Sequence, residues 1–197
     1  ALLIFDEVIT GFRIGQGGAQ AKYDVKPDIT CFGKVIGGGL PIGAIGGSRA
    51  VMENLTPLGK VFHAGTLAGN PLATAAGLAA LNELTQDVYM ELGARARALS
   101  TLLRDACLSA GIVAQFPVVG TLVGAFFGPN TPTNFDEAKQ TDEKMYARFF
   151  HAMLAEGVAL APGAYEALFV GLGHTDSVMQ QLAERAQRAA HAAVLAQ

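Results

Sequence analysis

Cysteine is scarce in this 197-residue sequence, with Cys31 and Cys107 the only two. They form neither a disulfide framework nor a zinc-ligand spacing, which fits a reducing compartment and makes the cytoplasm the expected location. The four histidines, His63, His151, His174 and His191, show no paired metal spacing and read as surface or capping residues. Charge is also thin. Fourteen Lys and Arg are dispersed among seventeen Asp and Glu for a net charge of −3, so there is no electrostatic footprint for nucleic acid or an anionic membrane. Val61 to Asn82 holds no charged residue and is long enough to raise a membrane span. Its His63, Asn70, Pro71 and Gly/Ala content instead fit a core loop followed by a helix buried on most sides. No signal peptide is visible, and no initiator Met. Ala1 leads straight into an apolar run with no upstream strand beside it. The sequence is therefore expected to be a fragment of a longer enzyme whose lost start could have carried a targeting segment.

Common catalytic motifs are missing as well. Gly33-Lys34 is followed by Val35, and Asp28 stands where a phosphate-binding P-loop needs glycine. Gly37, Gly39 and Gly43 miss the dinucleotide fingerprint by one residue. No Gly-x-Ser-x-Gly elbow marks a serine hydrolase.

What is present is a chain that is half apolar, enough for one or two domains with a core. Leu2 to Phe5 and Asp28 to Phe32 read as short buried strands, with a glycine-rich loop from Ile9 to Gly18 between them. Ala44-Ile45 is a further strand, and Ser48 caps a short helix through Leu55. Asn70-Pro71 opens a helix to Leu84, and a long amphipathic helix spans Gln86 to Ala110, stopping at Gly111. A smaller α+β texture follows. Its strands are expected at 112–116, 121–127, 158–160 and 169–172, with helices capped by Thr141 and Thr175. The expected division is a cofactor-type α/β domain over residues 1–85, a linking helix over 86–110 and a small α+β domain over 111–197.

The chemistry gathers at two strand ends. Asp6 closes the first apolar segment and Lys34 the second, and ligands of open α/β sheets sit beyond the carboxyl ends of parallel strands. A pyridoxal phosphate site needs such pieces: a carboxylate beside the pyridine nitrogen, a lysine amine for the Schiff base, and backbone and hydroxyl donors for the phosphate. Asp6, Lys34 and Gly65-Thr66 could supply them. Alternation along an extended segment would lay Val8 against the ring, and the glycines after Lys34 would allow a bulky cofactor close backbone approach.

The runs Phe5-Asp6-Glu7-Val8-Ile9-Thr10-Gly11-Phe12-Arg13, Pro27-Asp28-Ile29-Thr30 and Gly33-Lys34-Val35-Ile36-Gly37-Gly38-Gly39 resemble the signature of class III, fold-type I aminotransferases. Within that class, 63–71 (HAGTLAGNP) and 161–167 (APGAYEA) are most similar to the glutamate-1-semialdehyde 2,1-aminomutases. The resemblance covers essentially the whole chain, as the C-terminal half of the family's subunit. It implies an α/β fold: a partial large domain with a mostly parallel sheet, plus the small domain. It implies that Lys34 is the Schiff-base lysine and proton shuttle, Asp6 the pyridinium partner and Val8 the residue on the ring face. Thr66, with Gly65, falls on a loop that reaches across a homodimer to the partner's phosphate. Glu166 falls on an acidic residue close to the family's active site, and also reads as a solvated loop carboxylate.

The reaction implied is an amino exchange within one molecule. Pyridoxamine phosphate aminates the aldehyde of glutamate-1-semialdehyde, and the 2-amino group returns to the cofactor, releasing 5-aminolevulinate for tetrapyrrole synthesis. Two other readings stand beside it: a class III transaminase acting between two substrates, and a silent homologue serving as a dimerisation scaffold. By the same resemblance the gating loop and the substrate-carboxylate contact lie outside these residues, so the fragment alone is expected to have little activity.

Overall fold

The computed structural model describes residues 1–196, and the chain divides into two units, the first Ala1–Tyr89 and the second from Met90 onward. In the first unit, β1 (Ile4–Glu7) leads through a turn-rich loop to α1 (Gly18–Tyr23) and then to β2 (Ile29–Phe32). A single 3-10 turn, Lys34–Gly37, precedes β3 (Ala44–Gly47). β1 and β2 run parallel with Asp6 opposite Cys31 and Glu7 opposite Phe32, whereas β3 pairs antiparallel to β2. The sheet is thus mixed, in the order β1-β2-β3. α1 starts where the loop expected over Ile9 to Gly18 ends, and no helix is expected there because its residues Gly-Ala-Gln-Ala-Lys-Tyr carry no apolar periodicity.

After the short α2 (Arg49–Met52), α3 (Pro71–Glu83) starts as its sequence foretells. Asn70 is the N-cap, its side chain accepting from the Ala73 N–H at 2.9 Å, and Pro71 occupies the first turn. The expectation that α3 is buried on most sides is corrected. Only Ala73 and Gly77 are buried, while Leu72 is 74% exposed. Its buried stripe is narrow because it packs backbone to backbone. A Cβ on Gly77 would fall on the Ile36 carbonyl oxygen, and one on Gly38 would fall on the Ala76 carbonyl oxygen. The glycines after Lys34 therefore let the 3-10 turn lie directly on α3. That replaces the reading in which Gly37 and Gly38 make room for a cofactor, since side chains there would strike Ile42 and Ala76.

α4 (Gln86–Ser109) begins in the first unit, where Tyr89 is buried, and continues as the first helix of the second. In the second unit, residues 112–116 alternate buried and exposed as an extended segment should, yet make only the isolated bridge Gln115 to Phe126. Among the described residues of this unit, regular pairing is confined to the three-stranded antiparallel sheet of β4 (Val118–Val119), β5 (Leu122–Val123) and β6 (Leu168–Phe169). The strand expected over 158–160 is not one. Val158 instead donates to the Met153 carbonyl at 2.8 Å, closing a helix end. α5 (Phe135–Ala138) precedes α6 (Glu143–Ala155), whose cap is Asp142 and not Thr141. The Asp142 carboxylate accepts from the Met145 N–H at 2.9 Å, while the Thr141 hydroxyl is spent on the Ala138 carbonyl. α7 (Asp176–Leu195) is capped by Thr175 as expected.

The core of this unit joins α4, α6, α7 and the sheet. Phe127 sits at its centre, with ring centroids 5.7 Å from Tyr146 and 5.5 Å from Phe149. Ala186, Ala189, Ala190 and Ala193, spaced to one face of α7, are all fully buried and let α6 and α7 pack closely.

Candidate active site

Parallel pairing of β1 and β2 brings Asp6 and Lys34 to the same edge of the sheet. Asp6 lies at the end of β1, and Lys34 follows the end of β2 across Gly33. Both side chains are exposed. One oxygen of Asp6 accepts from the Val8 N–H at 3.0 Å, and among the described residues Lys34 has neither a hydrogen bond nor an ion pair. A carboxylate with a free oxygen and an uncommitted amine therefore emerge from adjacent strand ends. Lys34 sits at φ 46°, in the left-handed region that a residue with a Cβ seldom adopts, and such strain concentrates at functional positions. Val8 is half-buried beside Gly33, where a Cβ would come within 3.2 Å of its side chain.

These residues fit a pyridoxal phosphate group on their chemistry. An amine able to condense with an aldehyde, a carboxylate able to face a ring nitrogen and an apolar side chain between them share one exposed edge.

The Gly65-Thr66 loop is fully exposed and closed by a turn in which the Ala68 N–H donates to the Gly65 carbonyl at 2.9 Å. Gly65 and His63 line a groove of about 640 Å³ with Cys31 and β3 residues. Lys34 lines a separate groove of about 600 Å³ with Val35 and Gly39–Ile42. The structure thus brings Asp6, Val8 and Lys34 together and leaves Gly65 and Thr66 on another groove and loop. Glu166 belongs to the second unit. Its carboxylate accepts from the Gly163 N–H at 3.0 Å, tying the Pro162-Gly163 turn, and it lines a largely apolar cavity of about 610 Å³ with Leu160, Leu168 and Arg185. Burial first and the charge of Glu166 second hold the Tyr146 hydroxyl above its ordinary pKa.

Sequence reasoning passed over Glu7. It is 1% exposed, the most buried charged side chain of the first unit. Its carboxylate accepts from the Thr10 hydroxyl at 2.6 Å, the Ala19 and Gln20 N–H groups at 2.9 Å each, and the Gln20 amide at 3.4 Å. Burial alone would raise its pKa, but the hydrogen bonds outweigh burial and hold it below the ordinary value. The only hint in the sequence is the doublet Asp6-Glu7 followed by Thr10. The donors at 19 and 20 become visible only once α1 is known. The far side of the loop is fixed by the Tyr89 hydroxyl, which donates to the Phe12 carbonyl at 2.9 Å.

Comparison with known proteins agrees with this geometry. Residues 1–187 match the family model for class-III aminotransferases. The chain is 51% identical over 176 residues to the glutamate-1-semialdehyde 2,1-aminomutase of Desulfosudis oleivorans, covering 89% of this chain and 41% of that protein. It is 50% identical over 194 residues to the aminomutase of Desulforamulus reducens, covering 98% of this chain and 45% of that one. The chain thus spans less than half the length of these relatives. Among solved structures, an omega-transaminase from Sphaerobacter thermophilus superposes with a TM-score of 0.82 at 29% identity, covering 95% of this chain and 44% of that one. A glutamate-1-semialdehyde aminomutase from Pseudomonas aeruginosa PAO1 in complex with PMP gives 0.80 at 25%, covering 96% and 44%. The fold is the α/β architecture of the fold-type I transferases over the part spanned. With the strand-end carboxylate and amine, and a family match over nearly its whole length, the chain belongs to the class-III aminotransferases.

Proposed function

We propose that this chain is the C-terminal part of a glutamate-1-semialdehyde 2,1-aminomutase, which uses pyridoxal 5′-phosphate and its pyridoxamine form to convert glutamate-1-semialdehyde into 5-aminolevulinate. The observation that carries the chemistry is the exposed Asp6 and Lys34 at adjacent parallel strand ends, with Lys34 at positive φ. The roughly 50% identity to proteins bearing the aminomutase name supports this substrate over others.

When bound, the cofactor supplies an electron sink that makes substrate carbon-bound protons removable. Asp6 would pair with its ring nitrogen and favour the protonated form. Val8 would offer the ring an apolar side chain that excludes water. Lys34 would hold the cofactor through Nζ, and its amine would carry protons to and from the substrate. One lysine serves both halves of the exchange because each transfer spans a short distance. Gly65 and Thr66 serve the phosphate of a second subunit. Their exposed loop, with Leu58 and Phe62 nearby at 78% and 79% exposure, suits a homodimer interface. Glu166 is assigned, through its cavity, to the substrate side of the small domain. Residues 1–85 are read as part of the large domain, 86–110 as the linking helix and 111–197 as the small domain. A cytoplasmic location suits the two free cysteines, Cys31 and Cys107. No helix among the described residues is long and apolar enough to cross a membrane.

A second reading, a transaminase acting between two substrates, is favoured by the superposition on the omega-transaminase. The two part on stoichiometry. The complete protein, loaded with pyridoxamine phosphate and given glutamate-1-semialdehyde alone, is expected to turn over many times without an added amino donor. One turnover per site, with further turnover only after adding an amine, would assign it to the transaminases.

A further inference from the structure

Burying a carboxylate is expensive, and Glu7 carries no part of the chemistry assigned above, so its cost calls for a function. Four donors from residues 10, 19 and 20 surround its oxygens, and a Cβ on Gly18 would fall on the carboxylate itself. The backbone of the same residue is also tied, its carbonyl accepting from the Gly11 N–H at 2.9 Å. Side chain and carbonyl together restrain the peptide between Glu7 and Val8. That peptide carries the Val8 N–H, and the Val8 N–H is the single hydrogen-bond donor to Asp6 among the described residues, at 3.0 Å. Alternation along β1 buries Glu7 and leaves Asp6 exposed, and Val8 begins the turn that follows the strand. The exposed carboxylate therefore owes its orientation to the buried one.

We propose that Glu7 is a positioning residue for the cofactor pocket: its caged carboxylate fixes the Glu7–Val8 peptide, whose N–H in turn aims Asp6. The inference rests on the pyridoxal phosphate reading of Asp6 and Lys34 and adds to it a buried support that the chemistry itself does not touch. Such supports commonly govern ligand affinity through the groups they orient.

The test is a titration of the complete apoprotein with pyridoxal phosphate at 15 °C. It is read by the visible absorbance of the lysine-bound cofactor, alongside circular dichroism and the thermal midpoint of the apoprotein. Glu7→Gln is expected to weaken binding about tenfold, and the milder Thr10→Val to weaken it severalfold, while both remain folded at the assay temperature. In an Asp6→Asn background, Glu7→Gln is expected to add less than about twofold, because the charge that the support aims is already gone. A merely structural role would lower the thermal midpoint and leave affinity at 15 °C unchanged. Wild-type affinity in Glu7→Gln, or a full tenfold penalty on top of Asp6→Asn, would overturn the inference. If Glu7→Gln does not fold, Thr10→Val with wild-type affinity overturns it instead. A wild-type protein that shows no cofactor absorbance would sink the functional reading itself, and this inference with it.

Discussion

The two units of this chain are held together by different means. In the second unit, twenty buried residues form one continuous hydrophobic cluster running from Ala96 to Ala193. In the first, the buried apolar side chains are Ala73 and Tyr89, and the deepest charged group is the hydrogen-bonded carboxylate of Glu7. Order there comes from backbone contact between the 3-10 turn and α3, from strand pairing, and from the Glu7 cage. The contrast teaches where chemistry can reside. A core of interdigitated side chains holds a shape but offers no reactive groups, whereas a scaffold of backbone and hydrogen bonds can present a carboxylate and an amine at adjacent strand ends.

The comparison can be broken most forcefully at Lys34. Lys34→Ala in the complete protein is expected to cut turnover by about 10⁴-fold while leaving the thermal midpoint within a few degrees of wild type, since the side chain is exposed and uncommitted. Turnover near wild type would move the chemistry elsewhere. The opposite pattern is expected in the second unit. Phe149→Ala empties a fully buried ring beside Phe127 and should cost about 3–5 kcal/mol in denaturant unfolding, with cofactor affinity preserved at low denaturant. A loss below about 1 kcal/mol would mean that the cluster tolerates a hole and is not the main support of that unit. On the proposed reading, Asp6→Asn should lower turnover by about 10²-fold with little change in unfolding, because it would remove a charge that the cofactor's ring nitrogen needs and not a packed group. An unchanged rate would separate Asp6 from the ring.

The smallest effect concerns pH. The folded-state pKa of Glu7 is depressed below 4.5, so its contribution to stability is complete above that value and is lost as pH falls through the folded pKa. Between pH 5 and pH 3, Glu7→Gln should flatten the fall in the first unit's hydrogen-exchange protection. An unaltered slope would show that other carboxylates govern that limb.

Much of this was legible in the sequence, and the rest was hidden for physical reasons. Asn70-Pro71 and Thr175-Asp176 announce their helices because capping is local chemistry. Asp6 and Lys34 announce a strand-end site because each closes a short apolar run. Glu7 stayed hidden because all its donors but Thr10 come from α1, a helix without an apolar stripe, and because Asp6 beside it has the more conspicuous strand-end position. The apolar alternation of residues 112–116 is real, but alternation reports burial and cannot report whether a neighbouring strand is there to pair. The glycines at 37 and 38 were legible as a close approach and illegible as to what approaches, since α3 lies some forty residues further along the chain.

The central claim is that Lys34 alone among the lysines carries the cofactor. The direct measurement is to incubate the complete protein with pyridoxal phosphate, reduce it with borohydride, digest it and locate the phosphopyridoxyl group by mass spectrometry. The account predicts one modified site, Lys34, at close to one equivalent per chain. Modification spread over Lys22, Lys26 and Lys60, or an unmodified Lys34, would contradict it.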